Sequence, residues 1–193
     1  MKIIGVGCGP GLITEQAIRE LKKARIVYGS ERAIELARPY LVSTCSIKSI
    51  DDFKNLSRLP TASIILSTGD PMLAGLGYLP GEVIPGISSL QVATARLHIP
   101  LARVSVVVAH GRGHEKGMAD TVAEVKRGKI VFLLADPKFD VDELYSRLAD
   151  LADPVQIALC ENLGYPDERI VVGNIQSPPK TSAALYSLVI GEF

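Results

Sequence analysis

Short apolar strands alternating with amphipathic helices predict an α/β protein of two α/β domains, the first built on a parallel sheet and the second on a mixed one. Three observations carry this. Strand-like runs and helical patterns alternate from Ile3 as far as Leu159. Several of those runs end in glycine- or proline-bearing turns that lead straight into helices. After Leu159 two further strand-like runs follow with no helix between them, which requires antiparallel neighbours in the second sheet.

Ile3–Val6 is a short β-branched run that ends in glycines, as a buried strand does. Thr14 is a candidate N-cap, with Ala17, Ile18, Leu21 and Ala24 following at helical spacing. Ile26–Tyr28 is a second strand, and Ser30 opens a second helix that reaches about Arg38. Ala62–Ser67 is apolar almost throughout, the pattern of a parallel strand covered on both faces. A helix starts near Pro71, a short strand lies at Val83-Ile84, and a small-residue helix runs from about Ser88 to Leu97. His98-Ile99-Pro100 breaks that helix, because proline disfavours helical geometry in the residue before it. The domain boundary is placed there, giving domains 1–99 and 100–193. The second half reads as strand Val104–Ala109, helix Glu115–Arg127, strand Ile130–Leu134, helix Val141–Leu151, and strands Val155–Leu159, Arg169–Val172 and Leu185–Ile190.

Composition narrows the function classes. Of 193 residues 47% are hydrophobic and 22% charged, enough apolar side chain for a true core and too little polarity for disorder. Lys+Arg and Asp+Glu both total 21, so no long-range field favours nucleic acid or an anionic membrane, although a local basic pocket for a small acidic substrate is compatible with that balance. The three cysteines, Cys8, Cys45 and Cys160, form no CxxC pair and suggest a reducing compartment. The N-terminal residues turn glycine-rich too early for a signal peptide, and no apolar run approaches the roughly 18 residues of a membrane span. A soluble, cytoplasmic protein is the expectation.

Three turns carry the chemistry. Gly5-Val6-Gly7-Cys8-Gly9-Pro10-Gly11 follows the first strand, and its glycines let a ligand approach the backbone closely. It is not a dinucleotide fingerprint: GxGxxG counted from Gly5 puts Pro10 at the last glycine, and counted from Gly7 puts Leu12 there. No acidic residue stands at the end of the second strand, where Tyr28-Gly29-Ser30 lies. The second turn, Ser67-Thr68-Gly69-Asp70-Pro71, is explained without a ligand if Asp70 caps the helix and Pro71 opens it. The third, Ile84-Pro85-Gly86-Ile87-Ser88-Ser89, ends in serines that either cap a helix or meet a polar ligand. All three sit at carboxyl ends of predicted strands, hence on one edge of one sheet, where open α/β sheets bind their ligands.

In that order and spacing, GVGCGPG followed by LITEQAIRELKKARIVYG, then STGDP, then VIPGISSLQVATARLHIPL resembles the tetrapyrrole methylases. The resemblance implies two α/β domains with the active cleft between them, S-adenosylmethionine as methyl donor, and a homodimer. Val108-Ala109-His110-Gly111-Arg112 and Glu161-Asn162-Leu163-Gly164-Tyr165-Pro166-Asp167-Glu168-Arg169-Ile170 resemble the branch that methylates carbon 5 of precorrin-7 or of its cobalt-containing counterpart in cobalamin biosynthesis. The implied cofactor contacts are Pro10, Gly69, Asp70, Leu73, Ser88 and Ser89, with Leu134 and Ala135 from the second half. The implied substrate contacts are His110, Arg112, Glu161 and Asn162; Arg112 stands out because corrin precursors carry many carboxylates and guanidinium grips carboxylate with two prongs. For Glu161 and Asn162 the alternative is hydrogen bonding that holds their own loop.

His110 and His114 lie four apart, but Gly111 and Gly113 argue against a helix there, and Met118 stands where HExxH needs its second histidine. No protein-bound metal is expected. Displacement of a methyl group from a sulfonium by an electron-rich carbon needs alignment and exclusion of water more than a catalytic group, and no residue is assigned as acid or base. The competing readings are a methylase of the same fold with a diphthamide or ribosomal RNA acceptor, a nicotinamide-dependent oxidoreductase, and a noncatalytic nucleotide-binding module. The length leaves no room for a second methyltransferase domain, so a separate carbon-15 methylase and decarboxylase is expected in the pathway.

Overall fold

The computed structural model describes residues 1–50, 53–109, 113–151 and 155–193. They form two compact units, Met1–Ser89 and Leu90–Phe193.

The first unit contains β1 (Lys2–Gly5), α1 (Glu15–Leu21), β2 (Ile26–Gly29), α2 (Glu31–Ala37), β3 (Ser46–Ser49), β4 (Ile64–Ser67), α3 (Pro71–Ala74) and β5 (Glu82–Ile84). Its five strands are all parallel, in the order β3-β2-β4-β1-β5. Every residue of β4 is buried, as its unbroken apolar run requires. Ile4, Val27, Leu66 and Ile84 pack on one face with Ala17 and Leu21 of α1 and Ala33, Ile34 and Ala37 of α2. Ile3 and Ile65 look the other way and meet Leu56 and Leu79. Both helices start where the sequence places a cap: the Thr14 hydroxyl accepts from the Ala17 N–H at 3.2 Å and the Ser30 hydroxyl from the Ala33 N–H at 3.3 Å. These caps fix where the chain leaves the sheet edge and turns back over it.

α4 (Ser89–Arg96) begins at the division between the units, and the break at His98-Ile99-Pro100 lies within the second. There His98 adopts φ 55°, and the Ile99 N–H closes the helix on the Thr94 carbonyl at 2.9 Å. The second unit continues with β6 (Val104–Ala109), α5 (His114–Lys126), β7 (Ile130–Ala135), α6 (Val141–Ala149), β8 (Gln156–Glu161), β9 (Arg169–Asn174) and β10 (Tyr186–Gly191). The order is β6-β7-β10-β8-β9. β6 and β7 run parallel and every other pairing is antiparallel, so the sheet is mixed. Val107, Val131, Leu133, Ile157, Leu159, Leu188 and Ile190 meet Met118 and Val125 of α5 and Leu144 and Leu148 of α6 in its core.

The sequence reading misses β3, whose four residues are all exposed and whose place in the sheet rests on backbone pairing with β2. It also ends β7 and β8 early: β7 runs on through Ala135 and β8 through Glu161, held by cross-strand partners. Among the described residues no helix is long and apolar enough to cross a membrane.

Candidate active site

In the first unit the three turns leave neighbouring strands. Parallel β4, β1 and β5 lie side by side, so Ser67, Gly5 and Ile84 end at one edge. The turns are then stitched together through their backbones. Gly7 and Gly69 exchange hydrogen bonds, with N–H to carbonyl distances of 3.3 and 2.8 Å, and the Cys8 N–H donates to the Ile87 carbonyl at 3.0 Å. The Thr14 hydroxyl donates to the Pro85 carbonyl at 3.2 Å, and the Ile87 N–H to the Leu12 carbonyl at 3.3 Å. Such close stitching demands glycine. A Cβ at Gly86 would stand 2.3 Å from the Gly69 carbonyl oxygen and 2.7 Å from the Gly5 carbonyl carbon. Gly69 itself adopts φ 67°, a left-handed geometry that L side chains resist.

Asp70 locks the second turn to the third. One carboxylate oxygen accepts from the Met72 N–H at 2.7 Å and caps α3; the other accepts from the Gly86 N–H at 3.2 Å. Sequence reasoning finds the cap and misses the second bond, which spans 16 residues. The first-half candidates thus share this edge: Gly69 and Ser88 are buried, Asp70, Leu73 and Ser89 half-buried, and Pro10 exposed.

In the second unit, register brings the ends of β7 and β8, with Leu134, Ala135 and Glu161, to one edge. Ala109 lies opposite Ala135, and Tyr186 lies opposite Glu161, which in turn faces Arg169. Leu134 is half-buried and Ala135 buried at the end of β7. His110 and Arg112, expected to touch substrate, fall outside the described residues.

Glu161 is 2% exposed and its carboxylate is fully engaged. One oxygen accepts from the Ser182 N–H at 2.5 Å, the Ala183 N–H at 3.0 Å and the Thr181 hydroxyl at 3.2 Å; the other accepts from Arg169 Nε at 2.7 Å. Burial alone would raise its pKa, but the Ser182 N–H, the Arg169 guanidinium and the Ala183 N–H outweigh it and hold the carboxyl at about 2. The strand end therefore anchors the chain at 181–183 before β10. Asn162 adopts φ 49° and its side-chain amide donates to Asp167 at 2.7 Å. Glu168 receives the Gly164 N–H and Arg96 Nε, each at 2.7 Å. The segment from Glu161 to Arg169 is stapled to itself by these contacts.

One pair escapes sequence reasoning. His114, weighed there only as a metal ligand, sits 2.9 Å through Nε2 from the Asp136 carboxylate and edge-on to Phe139. It ties the start of α5 to the residue after β7. Only the β6–β7 register brings two residues so far apart in sequence together, so no local signal could have found it. No group of three or more His, Cys, Asp or Glu suited to a metal ion occurs among the described residues.

A parallel sheet with glycine-knit turns at its carboxyl edge, joined to a mixed sheet, is the setting in which the family match falls. The model of the tetrapyrrole (corrin/porphyrin) methylases matches residues 2–179, and the chain belongs to that family. Among individual relatives, a probable cobalt-precorrin-7 C(5)-methyltransferase of Methanocaldococcus jannaschii is 29% identical over 190 residues, covering 89% of this chain and 88% of that one. The crystal structure of the cobalamin-biosynthesis precorrin-6Y methylase of Archaeoglobus fulgidus is 30% identical, with a TM-score of 0.75, and covers 100% of this chain and 97% of that one. Uroporphyrin-III C-methyltransferase of Thermus thermophilus, solved with S-adenosylhomocysteine, shares the fold at 19% identity and a TM-score of 0.69, covering 97% of this chain and 90% of that one.

Proposed function

We propose that this chain is an S-adenosylmethionine-dependent C-methyltransferase that acts on carbon 5 of a corrin precursor, cobalt-precorrin-7, in cobalamin biosynthesis. The observation that carries the reading is the carbon-5 methyltransferase relative, which aligns along 89% of the chain. The Archaeoglobus relative is also named a precorrin methylase, with a different precorrin in its name.

The first-unit edge fits the methyl donor. A Cβ built at Gly69 would find its nearest neighbours at 3.9 and 4.0 Å, and one at Gly11 would find nothing within 4 Å, so a ligand can come close to the main chain at both turns. Pro10, Gly69, Asp70, Leu73, Ser88 and Ser89 would hold the donor there. When bound, S-adenosylmethionine supplies a sulfonium methyl group for in-line displacement. The chain's own task is positioning. Asp70 fixes the second and third turns relative to each other, and Glu161 fixes the chain at 181–183. Rigid placement of this kind can be worth roughly 7–11 kcal/mol of barrier. His110 and Arg112 would meet the corrin, Arg112 through a carboxylate. The active form is proposed to be a homodimer.

Turnover with cobalt-precorrin-7 and S-adenosylmethionine, followed by mass spectrometry, tests the reading. One added methyl with all carboxyl groups retained is expected. A doubly methylated or decarboxylated product overturns it. An unmodified corrin with cofactor still bound points to another acceptor within the family. Arg112→Lys should impair use of the corrin and leave cofactor affinity nearly unchanged.

A further inference from the structure

Arg32 lies in the first turn of α2, just after β2 leaves the same sheet edge that carries the three glycine-bearing turns. β2 pairs in parallel with β4, which brings this turn beside the second of them. Arg32 Nη2 donates to the Thr68 hydroxyl at 3.0 Å, so the guanidinium is pinned against that turn, two residues before Asp70.

Among the described residues its charge is unmatched. Arg19, Arg96, Arg127, Arg147 and Arg169 each pair with a glutamate. Arg32 has no carboxylate within ion-pair distance among the described residues; Asp70, two residues beyond Thr68, turns its carboxylate to the Met72 and Gly86 N–H groups. A guanidinium carries five N–H donors in a planar fork. Here one neutral hydroxyl orients a half-buried fork and leaves its remaining donors to whatever occupies the edge.

We infer that Arg32, oriented by Thr68, forms a carboxylate-binding subsite at the carboxyl edge of the first sheet. The inference rests on the proposed function, which supplies two sources of carboxylate: the acidic side chains of a tetrapyrrole and the amino-acid end of the methyl donor. The fork suits the planar, two-oxygen geometry common to both.

Binding measurements on the full chain separate the sources. S-adenosylhomocysteine and its decarboxylated counterpart are titrated by calorimetry. Uroporphyrin III, a tetrapyrrole bearing eight carboxyl groups, is titrated by fluorescence onto protein saturated with S-adenosylhomocysteine. Arg32→Gln should weaken one ligand by about tenfold or more, the size of a lost charge-assisted hydrogen bond. Arg32→Lys, which keeps charge and loses the fork, should fall between. A loss confined to S-adenosylhomocysteine, matched in wild type by weak binding of the decarboxylated form, assigns the subsite to the donor. A loss confined to uroporphyrin assigns it to the acceptor. Wild type that binds both ligands, with Arg32→Gln and Arg32→Lys binding both equally well, overturns the subsite and leaves the functional reading standing. Wild type that binds neither brings down both. Unchanged circular dichroism and urea midpoints in the lysine variant separate lost binding from lost fold.

Discussion

Replacing Glu161 by Gln should remove a large share of the second unit's stability. The carboxylate is almost wholly buried and accepts from Arg169, Ser182, Ala183 and Thr181. Glutamine keeps one accepting oxygen and sets an amide NH₂ against either the Arg169 Nε–H or the Ser182 N–H, donor against donor. The charge term follows from linkage. A fall in pKa from 4.5 to about 2 corresponds to at most about 3 kcal/mol. Arg169 is 46% exposed, so solvent screens part of that, and about 2 kcal/mol is expected. The folded pKa lies below the unfolded one, so the unfolded chain takes up the extra proton. The contribution is complete above about pH 4.5 and disappears as pH falls to about 2. Urea unfolding between pH 3 and 7 reads both effects. Wild type should lose stability steeply below pH 4.5, while Glu161→Gln should start lower and slope less through that window. A variant as stable as wild type at pH 7, with the same acid slope, would refute the anchor.

Three shorter predictions follow from the same contacts. Asp70→Ala frees the Met72 and Gly86 N–H groups and should cost about 1–2 kcal/mol with weakened S-adenosylmethionine binding; Asp70→Asn should keep most of the stability, and wild-type turnover in Asp70→Asn would reduce the residue to a cap. Gly86→Ala drives a Cβ to 2.3 Å from the Gly69 oxygen and should cost about 3 kcal/mol by thermal unfolding; a melting temperature equal to wild type would refute the close approach. Burial, with the nearby Glu168 charge, pushes the Cys160 thiol up to about 12, and Cys8 is also buried; at pH 8 a thiol reagent should therefore reach Cys45 alone, and slowly, until denaturant exposes all three. Rapid native labelling of Cys160 would contradict the last.

How much of this was legible in the sequence depended on whether the signal was local. Val104–Ala109 reads as a strand because its apolar run is bounded by turn residues, and the structure has the same bounds. Thr14, Ser30 and Asp70 read as caps because a cap bonds within three residues, and all three do. β3 stayed hidden because Ser46–Ser49 buries nothing, leaving no hydrophobic pattern to see. Glu161 looked like the end of a strand facing ligand; its burial comes from partners at 169 and 181–183 that only tertiary pairing delivers. The Asp70–Gly86, Arg32–Thr68 and His114–Asp136 contacts were out of reach for the same reason. Position at a strand's carboxyl end could be inferred; what each side chain would find there could not.

The strand orders also dictate a timetable. β1, the earliest strand made, lies between β4 and β5, so it waits until residues 64–84 have been synthesised before either neighbour exists. β10, the latest, wedges between β7 and β8. Until residues 186–191 emerge, the second sheet can form only as two separate ribbons, β6–β7 and β8–β9, each with a bare apolar edge. Closing such distant pairings is slow and leaves those edges open to other nascent chains. The hazard is therefore greatest while both ribbons are exposed and β10 has yet to join them.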